Sequence, residues 1–210
     1  MNIEKDTNKE LEEINKKISV ALEEESDIEL REAYVQRAEY YRSQLALEEC
    51  IASYQLAIDK TAGAQKKLEY NLVILQIHFE TKDWEPFAKC LEVCQKLNEE
   101  GGDWEKRNKL KVYDGIWMML RRDLAGAAKT FLSCIDTFNA PEVISFNQLV
   151  FLGAVLGLVT LPRSDLKKKV FGNSEVIAIL REDSLFENFM NSLYNRRYDS
   201  YFSYLGKISS

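Results

Sequence analysis

The sequence predicts an all-α protein of helix–turn–helix units stacked one after another. Three observations point there. Apolar residues recur three and four apart along nearly all of the 210 residues, and no convincing period-two stretch interrupts them. Helix-start signals return at intervals. Only three prolines and nine glycines are available to break the pattern.

The elements follow in order. Thr7 and Glu10 in "TNKE" form a capping box, in which each side chain can satisfy a backbone N–H of the first turn. Behind it Leu11, Ile14, Ile18 and Leu22 mark a helical stripe, with Glu12, Lys16, Glu13 and Lys17 outside it. Residues 1–26 read as a charged N-terminal helix, and residues 27–210 as the repeat domain. Ser26 and Glu29 repeat the box, and a second helix carries Leu30, Tyr34, Ala38 and Tyr41. A third spans about 45–61 and a fourth 64–80. Asp83 is the expected cap of a fifth, with Pro86 in its first turn. Glu99 and Glu100 end that helix. Gly101-Gly102 then suit a left-handed C-terminus. Asp103 caps a sixth helix to about Arg122, and Asp123 a seventh to about Phe138. Pro141 opens an eighth, to Leu161. Shorter helices follow at about 165–171, 175–182, 184–195 and 197–206.

Two of the pairs share a pattern. The tetratricopeptide repeat is a 34-residue helix pair with small residues where its helices touch. Counting from Arg31, the eighth, eleventh, twentieth, twenty-fourth and twenty-seventh places are Ala38, Tyr41, Cys50, Tyr54 and Ala57. Counting from Asn108, they are Gly115, Met118, Ala127, Phe131 and Cys134. The starts lie 77 residues apart, nine more than two plain repeats. The excess is expected in the middle pair and the "EEGGD" junction. The middle pair fits loosely, with Trp84 at a small place unless the register slips. One pair cannot bury its apolar face alone, so stacked pairs share a core in a right-handed solenoid. Ala38, Ala57, Gly115 and Ala127 are its structural small residues.

Composition excludes several functions. The net charge of −6 leaves no nucleic-acid footprint, and residues 1–30 hold ten Asp or Glu against four Lys. "KKK" at 167–169 and "NRR" at 195–197 read as solvated faces. The longest apolar run, residues 149–161, is too short to span a bilayer. No secretory pattern precedes the four cysteines, so free thiols in a reducing compartment are expected. Cys50, Cys90, Cys94 and Cys134 read as core residues, and the lone His78 lacks partners for metal ligation or nucleophilic catalysis. No phosphate-cradling or zinc motif occurs. Catalytic residues, cofactors and metals are all expected to be absent. The fifth and ninth repeat places, Val35 and Glu39, then Val112 and Ile116, have the wrong chemistry to clamp a peptide carboxylate.

The passages "EEGGDWEKRNKLKVYDGI", "RRDLAGAAKTFLSCIDTF" and "LVTLPRSDLKKKVF", in that order, resemble the family of 26S proteasome non-ATPase regulatory subunit 6. "NKELEEINKKISVALEEESDIELREAYVQRAEYY" and "SLYNRRYDSYFSYL" are also similar to it. The resemblance implies a non-catalytic scaffold of the regulatory-particle lid, in cytoplasm and nucleus. Its partners would be other lid subunits and the ATPase ring, with no nucleic acid, membrane or homo-oligomer. Family members are longer at both ends, and a winged helix completing the PCI arrangement is expected after residue 210. "RSQLA" stands where a Gly-Asp turn is typical, so a differently shaped first turn is expected. The alternatives are a scaffold of a sister PCI complex, the signalosome, or a free peptide-binding adaptor. Trp104, Arg107, Asn108 and Lys111, spaced three to four apart on the sixth helix, are the candidate partner contact, with Trp104 lying over the preceding pair.

Overall fold

The structure, a computed structural model, describes residues 3–208, with side chains from Lys9 onward. Among these residues it contains twelve α-helices, one 3-10 turn and no strand. The helices are α1 (Ile3–Glu23), α2 (Asp27–Ser43), α3 (Leu47–Asp59), α4 (Ala64–Thr81), α5 (Trp84–Gly101) and α6 (Trp104–Leu120). They continue with α7 (Leu124–Cys134), α8 (Phe146–Thr160), α9 (Arg163–Lys169), α10 (Ser174–Glu182), α11 (Ser184–Tyr194) and α12 (Tyr198–Ile208). The all-α reading of the sequence holds. The expected Thr7 cap lies outside the described side chains, and α1 begins at Ile3, one turn before it.

The chain divides into two compact units, Met1–Asp103 and Trp104–Ser210. In the first, consecutive helices pack as neighbours. Ile14, Ile18 and Ala21 of α1 share a core with Leu30 and Ala33 of α2, so the charged helix is part of this unit. Leu22, expected on the stripe, is 55% exposed, because Ala21 faces inward there. Ala38, Cys50 and Tyr54 join Ile74 and Ile77 of α4 in a second cluster. In the second unit α6 packs on α7, α7 on α8, and α11 on both α10 and α12. A Cβ on Gly153 or Gly157 of α8 would meet Leu132 of α7 at 3.4 Å in each case, so the two glycines bring that pair together.

Five hairpins close with one backbone device. Each has a single non-glycine residue in the left-handed region: Glu25 (φ 52°), Leu45 (58°), Lys82 (59°), Arg122 (64°) and Arg196 (61°). The next residue's N–H then donates to the carbonyl five positions back, an arrangement that satisfies carbonyls orphaned at a helix end. The bonds run from Ser26 to Ala21, Ala46 to Tyr41, Asp83 to His78, Asp123 to Met118 and Arg197 to Ser192, at 2.8–3.1 Å. The "RSQLA" turn was expected to differ in shape, but its backbone closes as the others do, with Leu45 at the left-handed position. Gly101-Gly102 behaves differently. Here α5 runs through Gly101, and Gly102 is extended (φ −68°, ψ 139°), so neither glycine is left-handed.

These turns fix the middle register. Leu45 and Arg122 both fall at the fifteenth place of their repeats, and Lys82 lies 37 residues after one and 40 before the other. The middle repeat then starts at Leu68. Its eighth, twentieth, twenty-fourth and twenty-seventh places are Leu75, Phe87, Leu91 and Cys94, all buried. The register slips by three from the sequence reading. Trp84 moves to the first position of α5, its ring 6.2 Å from Phe79 and 5.9 Å from Phe87. The nine extra residues also divide differently from expectation, three before Lys82 and six after it.

Several boundaries shift for local reasons. Asp123 caps α7 by accepting from the Gly126 N–H at 2.9 Å, and Ser26 accepts from Glu29 at 3.5 Å. Pro141 does not open α8. A full capping box between Ser145 and Gln148 starts that helix at Phe146. Asn173 and Asp183 cap α10 and α11, each accepting two backbone N–H bonds.

Candidate partner-contact face

The first two turns of α6 carry the residues that the sequence grouped together, and the structure separates them. Trp104 is 60% exposed, so its ring is not covered as expected, and Arg107 beside it is also exposed. Asn108 is 2% exposed, and its Nδ2 has no hydrogen-bond partner among the described residues. It belongs to the core side of α6. Lys111 is half-buried, close enough to the buried Cys134 to act on its thiol. Burial pushes that thiol up, while the contact with Ser133 and the Lys111 ammonium pull it partly back. The surface-available pair is thus Trp104 and Arg107, an indole and a guanidinium three residues apart. Asp103 directly precedes α6, at its N-cap position.

The rest of α6 is committed to its own unit. Val112, Tyr113 and Ile116 are buried, so the ninth and fifth repeat places here are core rather than a binding face. A Cβ on Gly115 would stand 2.6 Å from the ring of Phe131, which is what lets α7 approach. Ala127 is fully buried in that contact, and Ala38 and Ala57 are fully buried in the first unit. Lys109 forms an ion pair with Glu142 at 2.6 Å, both side chains about three-quarters buried, tying α6 to the turn before α8. Sequence reasoning missed this pair because its members are 33 residues apart and Lys109 looks like any surface lysine.

No catalytic arrangement assembles elsewhere among the described residues. His78 borders a groove of about 610 Å³ with Leu47, Ile51, Thr81 and Asp83. Burial lowers its pKa and the Asp83 carboxylate partly restores it. All four cysteines are free thiols. Cys90 donates to the Asn71 carbonyl at 3.4 Å. Its contact with Cys94, together with burial, pushes the Cys94 thiol up, away from the reactive thiolate. No group of three or more His, Cys, Asp or Glu among the described residues could hold a metal ion. No described helix is long and apolar enough to cross a membrane.

Comparison with known proteins finds relatives of the sequence. A family model described as 26S proteasome subunit RPN7 matches residues 1–169. The 26S proteasome non-ATPase regulatory subunit 6 homolog of Arabidopsis thaliana is 34% identical over 194 residues, covering 92% of this chain and 50% of that protein. The Oryza sativa subunit 6 is 32% identical, again over 92% of this chain and 50% of its own length. The regulatory subunit RPN7 of Saccharomyces cerevisiae is 30% identical over 93% of this chain and 46% of its own. The chain spans about half the length of the curated relatives it matches.

Proposed function

The chain belongs to the 26S proteasome subunit RPN7 family, and from that premise we propose that it serves as a non-catalytic structural subunit of the proteasome regulatory-particle lid. In this reading it supports ubiquitin-dependent degradation through protein–protein contacts, with other lid subunits and the ATPase ring as neighbours, in cytoplasm and nucleus. The observation that carries the reading is the family match over residues 1–169, with relatives named as non-ATPase regulatory subunits. The architecture supports it. Within each unit helical hairpins pack side by side, and the described residues bring together no nucleophile, base and orienting group. On α6, Trp104 and Arg107 supply an exposed aromatic and a guanidinium, residue types enriched at protein interfaces.

Affinity purification of the tagged protein tests the proposal. Lid subunits should co-purify, and recovery without any proteasome subunit overturns the reading. Arg107→Glu should leave the melting curve in place and lower the yield of lid subunits severalfold. Normal incorporation of that variant removes the α6 face from the proposal without touching the rest.

A further inference from the structure

The sequence sets two basic clusters far apart, at 167–169 and 195–197, and the structure links the segments that carry them. The link is Tyr194, the last residue of α11. Arg163, the first residue of α9, stacks its guanidinium 4.4 Å from the Tyr194 ring centroid. Phe171, just past the end of α9, packs its ring 4.5 Å from the same centroid. Lys167 stands four residues after Arg163 in α9, on the same helical stripe. Two residues beyond Tyr194, the left-handed turn at Arg196 presents Arg196 and Arg197. Lys167, Lys168, Arg196 and Arg197 are all exposed, and none forms an ion pair among the described residues.

The carboxylates on the neighbouring segments keep their charge but form no ion pair with these cations among the described residues. Asp183 is occupied in capping α11, accepting from Leu185 and Phe186. Asp136 accepts from Asn173 at 3.3 Å. Asp165 on α9, with Glu182 and Asp199, forms no ion pair with these cations. The cations also sit beside apolar surface. Helix α12 continues directly from Arg197 and exposes Tyr198 and Phe202, four residues apart, the latter 65% exposed. It buries no residue of its own, and stacks Tyr201 on Phe189 of α11 at 5.0 Å.

We propose that the surface formed by Arg163, Lys167, Lys168, Arg196 and Arg197, edged by Tyr198 and Phe202, docks an acidic segment of a partner protein that also carries apolar side chains. Charge complementarity selects the partner. Unpaired cations on a chain of net charge −6 give a local field opposite to that of the whole, which orients an approaching acidic segment. The two exposed rings supply the apolar contact that cations alone lack, since surface charge pairs by themselves contribute little affinity. A nucleic acid fits less well, because the Tyr194 ring is already taken up by Arg163 and Phe171 and is not free to stack a base. The inference concerns a surface separate from the α6 face and stands or falls apart from lid incorporation.

The test is fluorescence anisotropy on the purified full chain, with a labelled peptide of alternating Glu and Leu as probe. A Lys-Leu peptide and single-stranded oligothymidylate are the comparisons. The Glu-Leu peptide should bind, and more weakly as salt rises. Lys167→Glu with Lys168→Glu should weaken it about tenfold, with an unchanged circular-dichroism spectrum. The same charge change at Lys66 and Lys67, in the first unit, should have little effect. Phe202→Ala should weaken the Glu-Leu peptide more than a Glu-Ser peptide. Equal losses at both lysine pairs would reduce the effect to net charge and overturn the proposal. Tighter binding of the oligothymidylate, lost in the Lys167 and Lys168 variant, would also overturn it, in favour of a nucleic-acid surface.

Discussion

Replacing Leu45 by glycine should stabilise this protein. Leu45 holds φ 58° at the tip of the α2–α3 hairpin and is 81% exposed. For an L-residue the left-handed region costs about 1–2 kcal/mol through the clash of Cβ with the carbonyl, and glycine is free of it. Glycine returns part of that gain as entropy of the unfolded chain, leaving about 0.5–1 kcal/mol. Little burial is lost, because the leucine side chain packs on almost nothing. The turn keeps its bonds, since the Leu45 and Ala46 N–H groups donate to Arg42 and Tyr41 through the backbone alone. Lys82→Gly should act alike at φ 59°, by about 0.5–1 kcal/mol. Urea unfolding followed by helical circular dichroism reads the change as a raised midpoint at constant slope. Glu48→Gly is the control. Three residues on, exposed in the first turn of α3, it should lose about 0.5–1 kcal/mol from helix propensity and from a carboxylate favoured at the helix N-terminus. The opposite signs at positions 45 and 48 are the diagnostic result. If Leu45→Gly destabilises as Glu48→Gly does, the left-handed turn is absent from the folded protein and the register built on it fails.

Further expectations rest on single contacts. Gly115→Ala places a methyl 2.6 Å from the Phe131 ring and should cost about 1–3 kcal/mol in thermal or urea unfolding, with part restored by Phe131→Leu. Asp103→Ala should cost about 1 kcal/mol if its side chain caps α6, and an unshifted melting curve would count against the cap. His78 has its pKa lowered by burial, so below its ordinary value of 6.5 the unfolded chain binds more protons than the folded one. Stability should therefore fall as pH drops from neutral through that value. Urea midpoints at pH values on either side should show a smaller loss for His78→Asn than for the parent.

The helices were legible because their signals are local. Asp123 announces α7 through a cap three residues before Gly126, and the stripe of α1 is readable at Ile14 and Ile18. The boundary of α8 was equally local but carried two competing signals. Pro141 attracts a helix start by its fixed φ, yet the Ser145–Gln148 box satisfies two orphan N–H groups and wins. The candidate face was only half legible. A helical stripe groups Trp104, Arg107, Asn108 and Lys111, and periodicity cannot tell a polar residue that faces solvent from one that faces the core. The packing of α6 decides it, turning Asn108 inward and leaving Trp104 and Arg107 outside. The meeting of Arg163 with Tyr194 was not legible at all, since 31 residues separate them and no short-range pattern links them.

The middle hairpin shows why residue type alone misplaced the repeat. The outer pairs set small residues opposite each other, Ala38 with Cys50 and Gly115 with Ala127, and all four are buried. The middle pair puts Leu75 and Phe87 at those places and gathers Phe79, Trp84 and Phe87 into an aromatic edge. A search for small residues therefore fails there, although the third small place survives as Ala57, Cys94 and Cys134, each fully buried. What stays constant is the backbone. The same left-handed residue and the same five-back hydrogen bond close all three pairs, with Leu, Lys and Arg at the turn. Because that bond uses only main-chain atoms, side chains around it can change from small to large while the hairpin keeps its closure. In this chain the repeat is carried by the turn, and the side chains follow the space that each turn leaves them.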